Sequence, residues 1–301
     1  MQKLFKIEHI KSDTKELNYV KLSNSDNSSY AKISLNLGGS LQALNLNQKS
    51  IIKDNNTLSY NDSYASAILF PFTNRIQNGT YTFQNKEYVL DLNLKEENNA
   101  LHGLVYNKEF TIVKEQEEAN YASVTLEFNE TQNTKGFPFK YSILITYKLI
   151  FDAINIEVVV KNIDRKSFPF NIGWHPYFWS RNLHDSFLTI KSDKKIVFDK
   201  EMIPIKIENI SAPKIIQIKN KTFDDCYILN NNSVSFKTPE YNILINSSSD
   251  ENYLQVYTPS IKNNIAIEPK TGPANSFNNK LGLQVLNPNE IYNINWKIKL
   301  I

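Results

Sequence analysis

Cysteine is almost absent. The 301-residue chain has one, Cys226, which excludes an internal disulfide framework and a zinc cluster built on thiolates. Its expected role is that of a small, semi-buried apolar side chain. No run of about 18 apolar residues occurs, so no membrane span is expected. The opening stretch MQKLFKIEHIKSDTKEL has no continuous apolar block of signal-peptide length, which points to a cytoplasmic protein. Charge of one sign is not in excess: 34 basic and 31 acidic residues leave +3. The lysines are scattered along the chain, so nucleic acid is not an expected partner. Long amphipathic helical periodicity is missing. So are G-x-x-x-x-G-K-[ST], G-x-G-x-x-G, H-E-x-x-H and G-x-S-x-G, which removes the simplest nucleotide, dinucleotide, metalloprotease and serine-hydrolase readings.

What is present has a period of two. Residues 141–150, 154–163, 194–199, 242–246 and 292–300 alternate, or run β-branched and aromatic, for five to ten residues. That pattern predicts strands of a sandwich or barrel. Asn78-Gly79 predicts a two-residue hairpin between NRIQ and TYTFQ, because both residues tolerate positive φ. Gln84-Asn85-Lys86 marks another turn before EYVLDL. Residues 40–66, polar and irregular, read as strand pieces and a surface loop. With 41% apolar residues, no Gly/Ser- or Pro-rich linker and no internal repeat, the simplest organisation is one large antiparallel all-β domain spanning 1–301.

Chemistry is confined to five short polar islands. In FPFTNRIQNG, Arg75 follows Asn74 among apolar neighbours; alone, it reads as a strand-edge arginine, solvated or salt-bridged. In NNALHGLVYN, His102 precedes Gly103 and alone reads as a structural histidine. In NIGWHPYFWS, His175 stands among aromatics, and Pro176 restrains its backbone toward extended geometry. TFDDCY carries adjacent carboxylates, Asp224 and Asp225, which alone read as a turn. In NNIAIEPKTGPANSFNN, Glu268 ends an apolar run, and Pro269 is expected to stop the strand. A carboxylate there is costly to desolvate without a partner or a job.

Taken in order, NRI, LHG, HPYF, D-x-x-Y and EP-x-TGP resemble the aldose 1-epimerases, or galactose mutarotases, from about Pro71 to Phe277. The resemblance implies a large antiparallel β-sandwich with a sugar cleft on one concave sheet. It implies His175 as general acid and Glu268 as general base, with Arg75 and His102 holding sugar hydroxyls and the ring oxygen. The family's aspartate, three positions before an aromatic, falls on Asp224, with Asp225 as the fallback register; Asn74 is a further candidate contact. Lys270 departs from the pattern, standing where an uncharged residue is usual, and PANSFNN replaces the commoner PDAFN form.

Interconverting α and β anomers opens a cyclic hemiacetal, which one base and one acid on opposite sides of C1 can accomplish. The expected partner is thus a small-molecule aldose, and no metal or redox cofactor is required. Nearby acids such as Asp224 and Glu268 are expected to favour the charged imidazole of His175. Three other readings compete: a non-catalytic sugar-binding protein on the same scaffold, a hexose-6-phosphate epimerase, and a glycosidase using Asp224 and Glu268. The second calls for clustered cations, and the third leaves both histidines without roles.

Overall fold

The structure is a computed structural model and describes residues 4–11, 18–54, 59–211, 214–260 and 262–301. Alternation in the sequence becomes alternation in burial. Along the strand Tyr141–Leu149 every odd-numbered side chain is buried and every even-numbered one is partly exposed. The five strands expected from periodicity are all present, as Tyr141–Leu149, Ala153–Asn162, Lys194–Phe198, Asn242–Ser247 and Ile291–Leu300.

Three antiparallel sheets make up most of the molecule. A nine-stranded sheet runs Thr111–Glu117, Ala122–Glu130, Tyr141–Leu149, Ala153–Asn162, Ile291–Leu300, Asn242–Ser247, Ser233–Lys237, Phe187–Ile190, Lys214–Gln217. An eight-stranded sheet runs Pro204–Asn209, Lys194–Phe198, Asp224–Ile228, Tyr253–Tyr257, Asn264–Lys270, Gly173–Trp174, Ile68–Leu69, with Tyr177–Trp179 also paired to Asn264–Lys270. These two sheets face each other across the main apolar core. Trp174 stacks on Trp296 with ring centres 6.2 Å apart, and Phe178 meets Phe236 at 6.1 Å, each pair bridging the sheets. The five N-terminal strands, Phe5–Ile10 to Lys49–Ile52, form a third sheet. It is tied to the nine-stranded one by Tyr147 Oη donating to Gly39 O at 2.7 Å. Among the described residues, no helix is long and apolar enough to cross a membrane.

Three local expectations need correction. The strands flanking Asn78-Gly79 do not pair with each other: Arg75–Gln77 pairs with Asn99–Leu101, and Thr80–Phe83 with Lys86–Val89. The two-residue hairpin lies instead at Gln84-Asn85, where both φ values are positive (50° and 60°) and Phe83 pairs with Lys86. Asn78 is held away by donating its N–H to the Asn99 side chain.

Second, Pro269 does not stop its strand, which continues to Lys270. On one side Ala266–Lys270 is paired without a break to Tyr253–Tyr257. On the other, pairing is interrupted between Tyr177↔Ala266 and Gly173↔Lys270. Proline is tolerated because it sits beside that interruption, where no ladder donor is needed. Third, residues 40–66 contain the expected strand pieces, Leu41–Leu46 and Lys49–Ile52, but also a helical turn, Tyr60–Ser63. Residues 55–58 of that region lie outside the described ones.

Candidate active site

The register of the eight-stranded sheet selects which side chains share its cavity side. Residues directly opposite on paired strands project from the same face. Cys226 opposes Gln255, which opposes Glu268. One repeat away Asp224 opposes Tyr257, and Tyr257 opposes Ala266; one repeat the other way, Tyr253 opposes Lys270, and Lys270 opposes Gly173. The intervening residues Leu254, Val256, Ile265 and Ile267 go to the core. Asp224 and Asp225 are therefore separated by the pleat. Asp224 lines the cavity, while Asp225 Oδ1 pairs with Lys195 Nζ at 2.5 Å and lies beside a different surface hollow.

His175 lies in the ladder interruption, between Gly173 and Tyr177, and so faces Glu268 across it. Its backbone is clamped by a distant segment: its N–H donates to Ala67 O at 3.0 Å and its carbonyl accepts from Ser66 N at 2.8 Å. Trp174 Nε1 donates to Ser66 O, anchoring the preceding residue in the core. Imidazole and carboxylate meet at 3.4 Å, His175 Nε2 to Glu268 Oε1, with side chains 6% and 2% exposed. Among the described residues, His175 Nδ1 and Glu268 Oε2 have no hydrogen-bond partner.

Arg75 and His102 arrive together because Arg75 pairs with Leu101 across a short ladder, and His102 N–H donates to Asn74 O at 3.0 Å. His102 has φ 62° and is followed by Gly103 at φ 79°. Glycine is required there, since a Cβ would lie 2.2 Å from Phe70 O. The His102 ring packs edge-on to His175, centres 5.0 Å apart. Asn74 Oδ1 accepts from Arg75 N and Nη1. The guanidinium is also gripped by Glu97, Nε to Oε2 at 2.5 Å and Nη2 to Oε1 at 3.0 Å. Asn275, from the altered PANSFNN segment, donates its N–H to Arg75 O at 2.6 Å and accepts Gln77 N–H on its side chain.

All six residues singled out from sequence, Asn74, Arg75, His102, His175, Asp224 and Glu268, line one cavity of about 230 Å³. Sequence reading missed Asp62, Ser63 and Tyr64 of the Tyr60–Ser63 turn and its cap, and also Gln255 and Tyr257. The turn is tied down by Tyr177 Oη, which donates to Ser63 O. A glutamine in the otherwise buried run Tyr253–Val256 was the available signal for the strand contribution.

Burial dominates the electrostatics. It holds His175 neutral, with a pKa lowered to about 4, and the attraction of Asp224 does not overcome it. The expectation of a charged imidazole is thus corrected: desolvation outweighs the attraction of the neighbouring acid. Burial raises Glu268 to about 7, a rise that the Lys270 charge moderates. His102 is pushed well below its ordinary value, by burial first and then by His175. Asp224 is raised by burial and by Glu268. Between about pH 4 and 7 the Glu268–His175 pair therefore carries one proton, resting mainly on the carboxylate. Cys226, fully buried, has its thiol pushed up to about 11 and behaves as an apolar side chain.

The β-sandwich thus holds a buried imidazole–carboxyl pair in a cavity edged by hydrogen-bonding side chains. The sequence profile of the aldose 1-epimerase family matches residues 19–299, and the chain belongs to that family. It is 25% identical to the uncharacterized protein YihR of Escherichia coli K12 over 241 residues, 74% of this chain and 75% of that one. It is 28% identical to human galactose mutarotase over 146 residues, 47% of this chain and 41% of that enzyme. Among solved structures, a galactose mutarotase-like protein from Clostridium acetobutylicum superposes with TM-score 0.86 at 19% identity, covering 100% and 99% of the two chains. Galactose 1-epimerase from Lactobacillus acidophilus does so with TM-score 0.80 at 17% identity, covering 99% and 98%.

Proposed function

We propose that this protein is an aldose 1-epimerase acting on a free aldohexose, with Glu268 as general base and His175 as general acid. The observation that carries this reading is the Nε2–Oε1 approach of 3.4 Å between a buried imidazole and a buried carboxyl at one cavity.

Glu268 removes the proton from O1 of the hemiacetal. The O1 lone pair forms the C1=O1 double bond, the C1–O5 bond breaks, and O5 takes a proton from His175 Nε2. Rotation about C1–C2 and reclosure with the roles reversed gives the other anomer. The reactive form, Glu268 carboxylate with His175 imidazolium, differs from the resting form by one proton moved between the partners. The pair's total charge does not change, and substrate hydroxyls solvate the separated charges. Arg75, His102 and Asp224 hold ring hydroxyls, with Asn74 bracing the arginine. Three carboxyl groups line the cavity, from Asp62, Asp224 and Glu268, and the Arg75 charge is already matched by Glu97. This balance favours a neutral sugar over a phosphorylated one.

The test follows the optical rotation of freshly dissolved α-D-galactose and α-D-glucose with wild type, His175→Gln and Glu268→Gln. The expected result is acceleration by wild type and a loss of at least roughly 100-fold in each variant, the low end for a proton-transfer group. A folded wild type that accelerates neither sugar, nor any other common aldose, would sink the reading.

A further inference from the structure

Lys270 is 2% exposed, two residues beyond Glu268 on the same strand and therefore on the same side of the sheet. A buried ammonium is costly unless it is partnered, yet among the described residues it forms no ion pair. Its Nζ donates to Gln255 Oε1 at 3.0 Å. Gln255, equally buried, donates through Nε2 to Asp224 Oδ1 at 2.6 Å. Room for the lysine stem is provided by Gly173, where a Cβ would come within 2.9 Å of Lys270 Cγ.

The order of groups in this chain fixes a direction. An ammonium only donates and a carboxylate only accepts, so a primary amide between them has one satisfactory orientation, oxygen toward the lysine and nitrogen toward the aspartate. With an apolar residue in place of the lysine, the buried amide oxygen loses its partner and the amide is held from the carboxylate side alone. With the lysine present, the amide donor is permanently aimed at Asp224 Oδ1, and the second carboxylate oxygen remains for a ligand. The chain also adds polarisation, because each hydrogen bond in a buried series strengthens the next.

We propose that Lys270 is a positioning residue for the sugar site: acting through Gln255, it locks the Asp224 carboxylate in the orientation that accepts a substrate hydroxyl. This rests on the reading of Asp224 as a sugar contact. It assigns a role to the one charge that departs from the family pattern, and it makes Gln255 the link.

The experiment measures kcat and KM for whichever of α-D-galactose and α-D-glucose reacts faster, in wild type, Lys270→Met, Gln255→Glu, Asp224→Asn and the two doubles with Asp224→Asn. Gln255→Glu gives the buried ammonium an acceptor, which preserves the fold, while removing the donor to Asp224. With each variant read at its own pH optimum, because the lysine charge moderates the rise at Glu268, Lys270→Met and Gln255→Glu should each raise KM by roughly 10- to 100-fold, the range for a hydrogen bond to a charged group, with kcat changed much less. In the Asp224→Asn background either change should add less than about twofold, the signature of one coupled unit. Unchanged KM in folded Gln255→Glu, or a full multiplicative effect in the Asp224→Asn background, would overturn the proposal, whether or not Lys270→Met folds. If wild type binds the sugars by calorimetry without interconverting them, the epimerase reading fails, and Kd takes the place of KM in the same comparison. A wild type that neither binds nor converts either sugar overturns both.

Discussion

Arg75 and Glu97 grip each other through two parallel hydrogen bonds at the edge of the cavity, 2.5 Å and 3.0 Å long. The guanidinium is thus oriented and charge-matched before any ligand arrives. A sugar hydroxyl can still accept from its remaining N–H groups, but a phosphoryl group finds the Arg75 charge already compensated. Free galactose is expected to be preferred over galactose 6-phosphate by at least roughly tenfold in kcat/KM, and Glu97→Gln should narrow that preference several-fold by freeing one charge-assisted bond. Polarimetry on the two substrates measures both. Preference for the phosphosugar in wild type would contradict this account of Arg75.

The pH–rate profile should be bell-shaped, because ring opening needs one proton on the Glu268–His175 pair. Their environments place the limbs near 4, where His175 gains a second proton for the pair, and near 7, where Glu268 loses the first. Both apparent values belong to the pair and not to either residue alone. The profile of kcat/KM reads them in the free enzyme. A rate that rises monotonically into the alkaline range would show that the shared proton is dispensable.

Stability carries the same information with a definite sign. The folded protein keeps the Glu268 proton up to about 7, while the unfolded chain releases it near 4.5. Its contribution is therefore fully present below the lower value and is lost as pH rises through the upper one. His175, lowered to about 4 from 6.5, slopes the opposite way over an overlapping window. Glu268→Gln removes only the first contribution. Its melting temperature relative to wild type should climb across this interval and level off above it, as followed by circular dichroism. A constant difference across the range would mean that burial does not hold the carboxyl protonated.

Asp224→Asn and Asp225→Asn should behave differently although the two residues are adjacent. The first weakens a cavity contact and should raise KM roughly tenfold or more, as for a charged hydrogen bond. The second removes a partly exposed ion pair with Lys195, worth at most about 1 kcal/mol, and should leave kcat and KM within about twofold. Equal effects on KM would show that the pleat does not separate them in solution.

Most of the sheet framework was legible in the sequence because burial on one face writes a period of two into segments such as Tyr141–Leu149. The six cavity residues were found because their motifs keep a family order and spacing. Other features depend on contacts between distant positions. The Asn78-Gly79 turn has hairpin chemistry, yet Asn99 takes the pairing elsewhere. Asp62 reaches the cavity only because Tyr177 ties its helical turn to the sheet. The neutral state of His175 follows from how completely it is enclosed, which composition does not record. Pro269 looked like a terminator because the interruption beside it is a property of the neighbouring strands.

The alternation along Asn264–Lys270 has an evolutionary consequence. Ile265 and Ile267 answer to the core, while Ala266, Glu268 and Lys270 answer to the cavity, so selection can act on the two sets separately. Mutation on the cavity side can tune the ligand without unmaking the sandwich, and drift on the core side is limited only by shape. Such a division lets relatives diverge to 19% identity while still superposing with a TM-score of 0.86. A cation such as Lys270 can then stand beside Gln255 as a heritable adjustment to one face of an otherwise unchanged fold.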